Sequence, residues 1–163
     1  MRPIVAIVGR SGSGKTVLLE KLTPELKKRG WSVGIVKHTH HDQFDIDNPG
    51  KDSWRLREAG ASRVVITAPK RLAVIMELNE EFPLAKIRER FLKDVHIVFV
   101  EGFRGLPLPK IEVVKEGETS ELLNQDKNLL AIVGQGPANT AVPVFKPDGV
   151  RELADFIEQR CLR

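Results

Sequence analysis

The chain has 163 residues, 41% hydrophobic and 29% charged, which fits one globular domain over residues 1–163 with its own core and gives no compositional signature of disorder. No apolar run approaches the ~20 residues a membrane-spanning helix needs, and the N-terminal stretch MRPIVAIVGRSGSGK lacks the form of a secretory signal, so the expected location is cytoplasmic. The net charge of +4 is spread along the chain without a basic run or interleaved aromatics, which argues against nucleic acid, and a lone Cys161 excludes an internal disulfide or a thiolate metal cluster.

Pro3 to Val8 is a wholly apolar run closed by Gly9, the pattern of a strand buried on both faces of a parallel sheet. Next comes Gly9-Arg10-Ser11-Gly12-Ser13-Gly14-Lys15-Thr16, which is glycine, four residues, glycine, lysine and a hydroxyl residue. Glycines let consecutive backbone N–H groups converge, and the following helix start adds about half a positive charge at the same point. Such a loop cradles the phosphates of GTP or ATP. Lys15 suits the β and γ phosphate oxygens, and the Thr16 hydroxyl is a hard oxygen ligand for Mg2+.

From Lys15 the spacing turns helical, with Val17, Leu18, Leu19, Leu22 and Leu26 on one face and Gly30 closing the segment. Trp31 to Val36 reads as a second strand, and Pro49 to Gly60 as a short helix beginning near Gly50. Ser62 to Thr67 and Leu72 to Leu78, parted by Ala68 to Arg71, predict a β-ribbon over residues 62–78. Leu84 to Phe91 is helical, Val95 to Val100 is another apolar strand, and Ile111 to Val114, Leu129 to Val133 and Val142 to Phe145 add three more. Val150 to Cys161 closes the chain as an amphipathic helix. The alternation predicts an α/β P-loop NTPase fold, a mostly parallel sheet flanked by helices with the ribbon inserted.

Phosphate chemistry on this loop needs an acidic residue at a neighbouring strand tip, to hold the cation or to position an attacking water. Glu101, after Ile97 to Val100, is the first candidate, and Asp45 and Asp47 compete for the role. Lys15, Glu101 and Asp45 are thus the candidate catalytic residues, and Thr16, Glu101, Asp45 and Asp47 the candidate magnesium ligands. The segment from Lys37 to Ser53 is dense in polar groups, and His38, His40 and His41 with Asp42 or Asp45 could instead supply a zinc or nickel site.

Val36-Lys-His-Thr-His-His-Asp42, Phe44 to Ser53, Leu56 to Ala61, and Val100-Glu-Gly-Phe-Arg104 followed by Pro109 to Glu112 resemble the molybdopterin-guanine dinucleotide biosynthesis protein B family. The resemblance runs from the loop to the final helix. It implies a homodimeric GTP-binding accessory protein of molybdenum cofactor biosynthesis, a weak GTPase at most, that assists a guanylyltransferase in joining GMP to molybdopterin. It also implies that Gly9 to Thr16 bind the nucleotide and that the middle segment, with Lys37 and His38, lies near the phosphates or the pterin. The chain departs from the pattern at Gly134-Gln135, where relatives often carry Ser-Asp. A carboxylate accepts both guanine donors and an amide has one acceptor oxygen, so the choice between guanine and adenine stays open. A small-molecule kinase and a metal-delivering GTPase are alternative uses of the same loop.

Overall fold

The computed structural model describes residues 3–39, 44, 46–103, 105–115, 117, 127–137 and 139–163. The chain divides into two compact units, one made of Met1–His38 with Arg88–Arg163 and the other of Thr39–Ile87.

The larger unit is built on six strands, β1 (Ile4–Val8), β2 (Val33–Lys37), β5 (Ile97–Glu101), β6 (Lys110–Val114), β7 (Leu129–Gly134) and β8 (Val144–Phe145). They lie in the order β2-β5-β1-β6-β7-β8, and every pairing is parallel. Alternation along the strands fixes which side chains meet the helices. Val5, Ile7, Ile97, Phe99, Ile111, Val113, Ala131 and Val133 form one core with Leu18, Leu19, Leu22 and Leu26 of α1 (Lys15–Lys28) and Leu153, Ala154 and Ile157 of α4 (Val150–Ile157). Ala6, Val8, Val98 and Val100 alternate with these and are also buried, so the central strands are covered on both faces as their unbroken apolar runs require. A fully buried side chain of this kind contributes about 1.5–3 kcal/mol.

Helix α1 runs through Pro24, although proline removes an intrahelical donor. Burial of Leu22 and Leu26 on either side holds the helix together there. It ends where Gly30 takes φ 89°, with Gly30 N–H donating to Lys27 O at 3.0 Å and Trp31 N–H to Leu26 O at 3.0 Å. This is the glycine-closed helix end that the sequence predicts. The indole N–H of Trp31 donates to Glu158 at 2.7 Å, and Arg29 bonds Glu25 at 2.9 Å and also Asp155, so the end of α1 is clasped to the C-terminal helix.

Several expectations shift. Val17 is 51% exposed: it sits on the flank of the stripe formed by Leu18, Leu19, Leu22 and Leu26. The last strand shortens to Val144–Phe145, because Pro143 has no N–H to give the ladder. The final helix changes pitch at Glu158, where a π-helical turn (Glu158–Leu162) replaces the α form and Arg163 N–H reaches Glu158 O at 3.0 Å.

The smaller unit holds α2 (Asp52–Glu58) and the antiparallel pair β3 (Arg63–Ala68) and β4 (Arg71–Met76), paired from Arg63↔Met76 to Ala68↔Arg71. The ribbon is therefore present and turns tightly through Pro69 and Lys70. Helix α2 starts two residues later than expected and fully buries none of its side chains. Val64 is buried, whereas Val65 (58% exposed) and Leu72 (65% exposed) stand open on the opposite face of the ribbon. Helix α3 (Leu84–Phe91) contains the boundary between the units.

These contacts separate two substitutions on one helix. Leu22→Ala should cost about 2–5 kcal/mol in urea unfolding by removing a fully buried side chain, while Val17→Ala should change stability by less than about 0.5 kcal/mol. Equal losses at the two positions would contradict this packing.

Candidate functional site

The carboxyl edge of the six-stranded sheet carries the site, at the point where β1 is flanked by β5 on one side and β6 on the other. The connection from β1 leads to β2 on one side and that from β5 to β6 on the other, and the crevice between two such strands is where open α/β sheets take ligands. The loop between β1 and α1 fills that crevice.

Its glycines do what the spacing demands. Gly9, Gly12 and Gly14 adopt φ of 148°, 74° and 97°, values that side-chain-bearing residues rarely take. A Cβ on Gly9 would collide with the Val113 carbonyl and lie 2.6 Å from Ser13 Oγ, so this position also requires glycine for space. Gly14 is the N-cap of α1, offers no side chain to cap it, and the first turn carries no acidic residue. The donor end of a helix 14 residues long is therefore not neutralised by its own sequence. Ser13 N–H closes the loop on Arg10 O at 3.2 Å, and Ser13 Oγ is buried without a hydrogen-bond partner among the described residues.

Lys15 and Thr16 follow as the first residues of α1. The Lys15 ammonium folds back over the loop and donates to the carbonyl oxygens of Gly9 at 3.2 Å and Arg10 at 2.7 Å. The Thr16 hydroxyl donates to the Glu101 carboxylate, 3.1 Å from Oε2 and 3.2 Å from Oε1. Glu101 is the last residue of β5 and is paired in register with both Ile7 of β1 and Lys37 of β2. Its carboxylate is held where a hard cation ligand is needed, beside a hydroxyl of the loop helix. The two oxygen donors fit magnesium, which takes one or two protein oxygens and keeps several waters.

Lys37 approaches the same carboxylate, with Nζ 3.8 Å from Glu101 Oε1. Its side chain is 65% exposed against 14% for Glu101, so the pair is an open one worth no more than about 1 kcal/mol. Beyond it the backbone continues the edge: His38 N–H donates to Glu101 O at 3.0 Å, and the His38 ring packs on Phe103 with centroids 4.6 Å apart. Gly102 takes φ 102° and Phe103 takes φ 55°, a left-handed conformation uncommon for an aromatic residue. A side chain at Gly102 would come within 3.3 Å of His38 Cβ. No residue type in the sequence marks Phe103 as strained, and its role at this edge is visible only in three dimensions.

Of the residues expected at the site, the structure gathers Gly9, Arg10, Ser11, Gly12, Ser13, Gly14, Lys15 and Thr16 in the loop and Lys37, His38 and Glu101 at the adjoining strand ends. Asp45, His40 and His41 lie outside the described residues. Asp47 belongs to the smaller unit, where its Oδ1 accepts from the Ser53 hydroxyl at 2.8 Å and the Asn48 N–H at 3.0 Å and so serves a local turn ahead of α2. Among the described residues no cluster of three or more His, Cys, Asp or Glu side chains is placed to hold a metal. Gly134 takes φ 107°, and a Cβ there would collide with the Val114 carbonyl. Gln135 beside it accepts from Gly117 N–H through Oε1 at 3.2 Å. No helix is long and apolar enough to cross a membrane among the described residues.

Comparison with known proteins agrees with this architecture. The family profile of Molybdopterin guanine dinucleotide synthesis protein B matches residues 4–135. The chain is 38% identical over 157 residues to a molybdopterin-guanine dinucleotide biosynthesis adapter protein of Haemophilus influenzae, covering 96% of this chain and 88% of that one. It is likewise 38% identical over 162 residues to the adapter protein of the same description from Escherichia coli, covering 96% and 92%. A crystal structure described as molybdopterin-guanine biosynthesis protein B superposes with a TM-score of 0.77 at 34% identity, covering 96% of this chain and 97% of that chain. With its phosphate-type loop, its parallel sheet and this similarity over nearly its whole length, the chain belongs to the molybdopterin guanine dinucleotide synthesis protein B family.

Proposed function

We propose that this chain is a GTP-binding adapter of molybdenum cofactor biosynthesis, acting in the cytoplasm with an enzyme that joins GMP to molybdopterin. The observation that carries the proposal is the meeting of Thr16 and Glu101 beside the glycine loop, in a member of this family. The backbone N–H groups at the start of α1 and the Lys15 ammonium supply the positive environment for the β and γ phosphates. Thr16 and Glu101 would hold magnesium. When bound, magnesium would neutralise charge on the β and γ phosphates. Lys37 and His38 border the same ligand.

In this scheme Lys15 exchanges its two loop carbonyls for phosphate oxygens, and Thr16 turns its hydroxyl lone pair to the cation while Glu101 balances the charge. Turnover is at most slow, since the role of an adapter is to present ligand to a partner enzyme. Molybdopterin or its guanylyltransferase is the expected partner. A homodimer is expected as well: Val65 pairs across strands with Val74 and Thr67 with Leu72, and this leaves an exposed apolar face on a two-stranded ribbon. An isolated ribbon of two strands is marginal in water without cover.

Lys15→Ala should weaken calorimetric binding of magnesium-GTP by at least ~2 kcal/mol, about thirtyfold, with the thermal unfolding profile retained. Glu101→Gln keeps the shape but loses the charge, so it should lower any GTP turnover more than it lowers binding. Wild-type affinity in the Lys15 variant would end the phosphate-cradle assignment. Sedimentation at micromolar concentration should report a dimer, and Val65→Glu should shift it toward monomer. A wild-type protein that sediments as a monomer would contradict the ribbon as a self-association face.

A further inference from the structure

We infer that Lys37 is a latch on the triphosphate site: it rests on Glu101 while no divalent cation is held there, and turns to the terminal phosphate of a nucleoside triphosphate once Glu101 is engaged. The inference rests on the nucleotide-binding assignment made above and adds to it a means of telling triphosphate from diphosphate.

Three placements carry it. Lys37 and Glu101 are register partners at the ends of adjacent parallel strands, so their side chains leave the sheet on the same side. Glu101 is shared, because one carboxylate meets both the Thr16 hydroxyl at 3.1 Å and the Lys37 ammonium at 3.8 Å. Lys37 is 65% exposed and Glu101 only 14%, so the carboxylate is the fixed member and the lysine the mobile one.

Electrostatics then orders the exchange. A doubly charged cation attracts the carboxylate about twice as strongly as an ammonium does at equal distance, and the two cations repel each other. Glu101, once it holds magnesium with Thr16, no longer holds Lys37. The released ammonium lies beside the loop that carries Lys15. Lys15 comes from the loop helix and Lys37 from a strand two positions away from β1, about 10 Å across the sheet. The two therefore approach a bound polyphosphate from different directions. The last phosphate of a triphosphate extends toward the strand ends and offers Lys37 a new anionic partner, which a diphosphate does not.

The experiment is calorimetry on the full chain and on its Lys37→Met and Lys37→Arg variants, with GTP and GDP, in magnesium and again in EDTA. In magnesium, Lys37→Met should weaken GTP binding by about tenfold and change GDP binding by less than about twofold, while Lys37→Arg should keep most of the preference for GTP. In EDTA, where Lys37 stays on Glu101, Lys37→Met should change GTP binding by less than about twofold. Thermal unfolding of the variants separates these effects from misfolding, and the high exposure of Lys37 favours an intact fold. A loss shared by GTP and GDP, a loss of equal size with and without magnesium, or no loss at all would overturn the latch while leaving the nucleotide site standing. Failure of the wild-type chain to bind either nucleotide would overturn both.

Discussion

The carboxyl edge of the sheet depends on one constraint, the parallel register that sets Ile7, Glu101 and Lys37 side by side across β1, β5 and β2. A parallel ladder allows no gradual adjustment here, since a slip of one residue sends every side chain to the other face. With Val5 and Ile7 locked under α1, and Ile97 and Phe99 beside them, Glu101 has only one place to emerge, next to the first turn of α1. The core thus positions the carboxylate, and the carboxylate meets the hydroxyl of Thr16 without any residue of its own loop directing it. Function at the edge is a consequence of packing underneath.

The loop itself follows a different logic. Its shape comes from local steric freedom at Gly9, Gly12 and Gly14, and its charge from a helix start that carries neither a side-chain cap nor an acidic first turn. Ser13 Oγ and the Lys15 ammonium are turned inward within it, one buried and one bonded to loop carbonyls. Such an arrangement costs stability unless a ligand or the solvent supplies what the protein withholds, which is a common trade at binding sites.

Much of this was legible in the residues. Glycine placement encodes the loop because the backbone conformations it needs are closed to other residues, and the apolar runs at Pro3 to Val8 and Ile97 to Val100 encode buried strands by their composition. The order β2-β5-β1 was only partly legible: periodicity states that a strand exists and says little about its neighbours. Glu101, closing an apolar strand, was the first candidate carboxylate, and Asp45 and Asp47, which follow strand two, competed with it. Glu101 alone among the described ones lies against Thr16, while Asp47 is tied to Ser53 and Asn48. Val17 was misplaced because a face defined by five residues is wider than the stripe the core accepts. The π turn at Glu158 and the left-handed Phe103 have no residue signature, since both arise from contacts distant in sequence. The ribbon was legible from two β segments parted by Ala68 to Arg71, and its exposed face from the structure alone.

Membership in the molybdopterin guanine dinucleotide synthesis protein B family and the geometry of the loop meet on one claim, that Gly9 to Thr16 form an anion cradle completed by Glu101. The most direct measurement is amide chemical-shift mapping of the nitrogen-15-labelled chain as magnesium-GTP is added. The account predicts saturable shifts for the amides of Gly12, Gly14, Lys15 and Thr16 and for Glu101 and Gly102, with the amides of Leu153 to Ile157 in α4 left in place. Saturable shifts elsewhere with none in the loop, or no shifts at millimolar nucleotide, would contradict it.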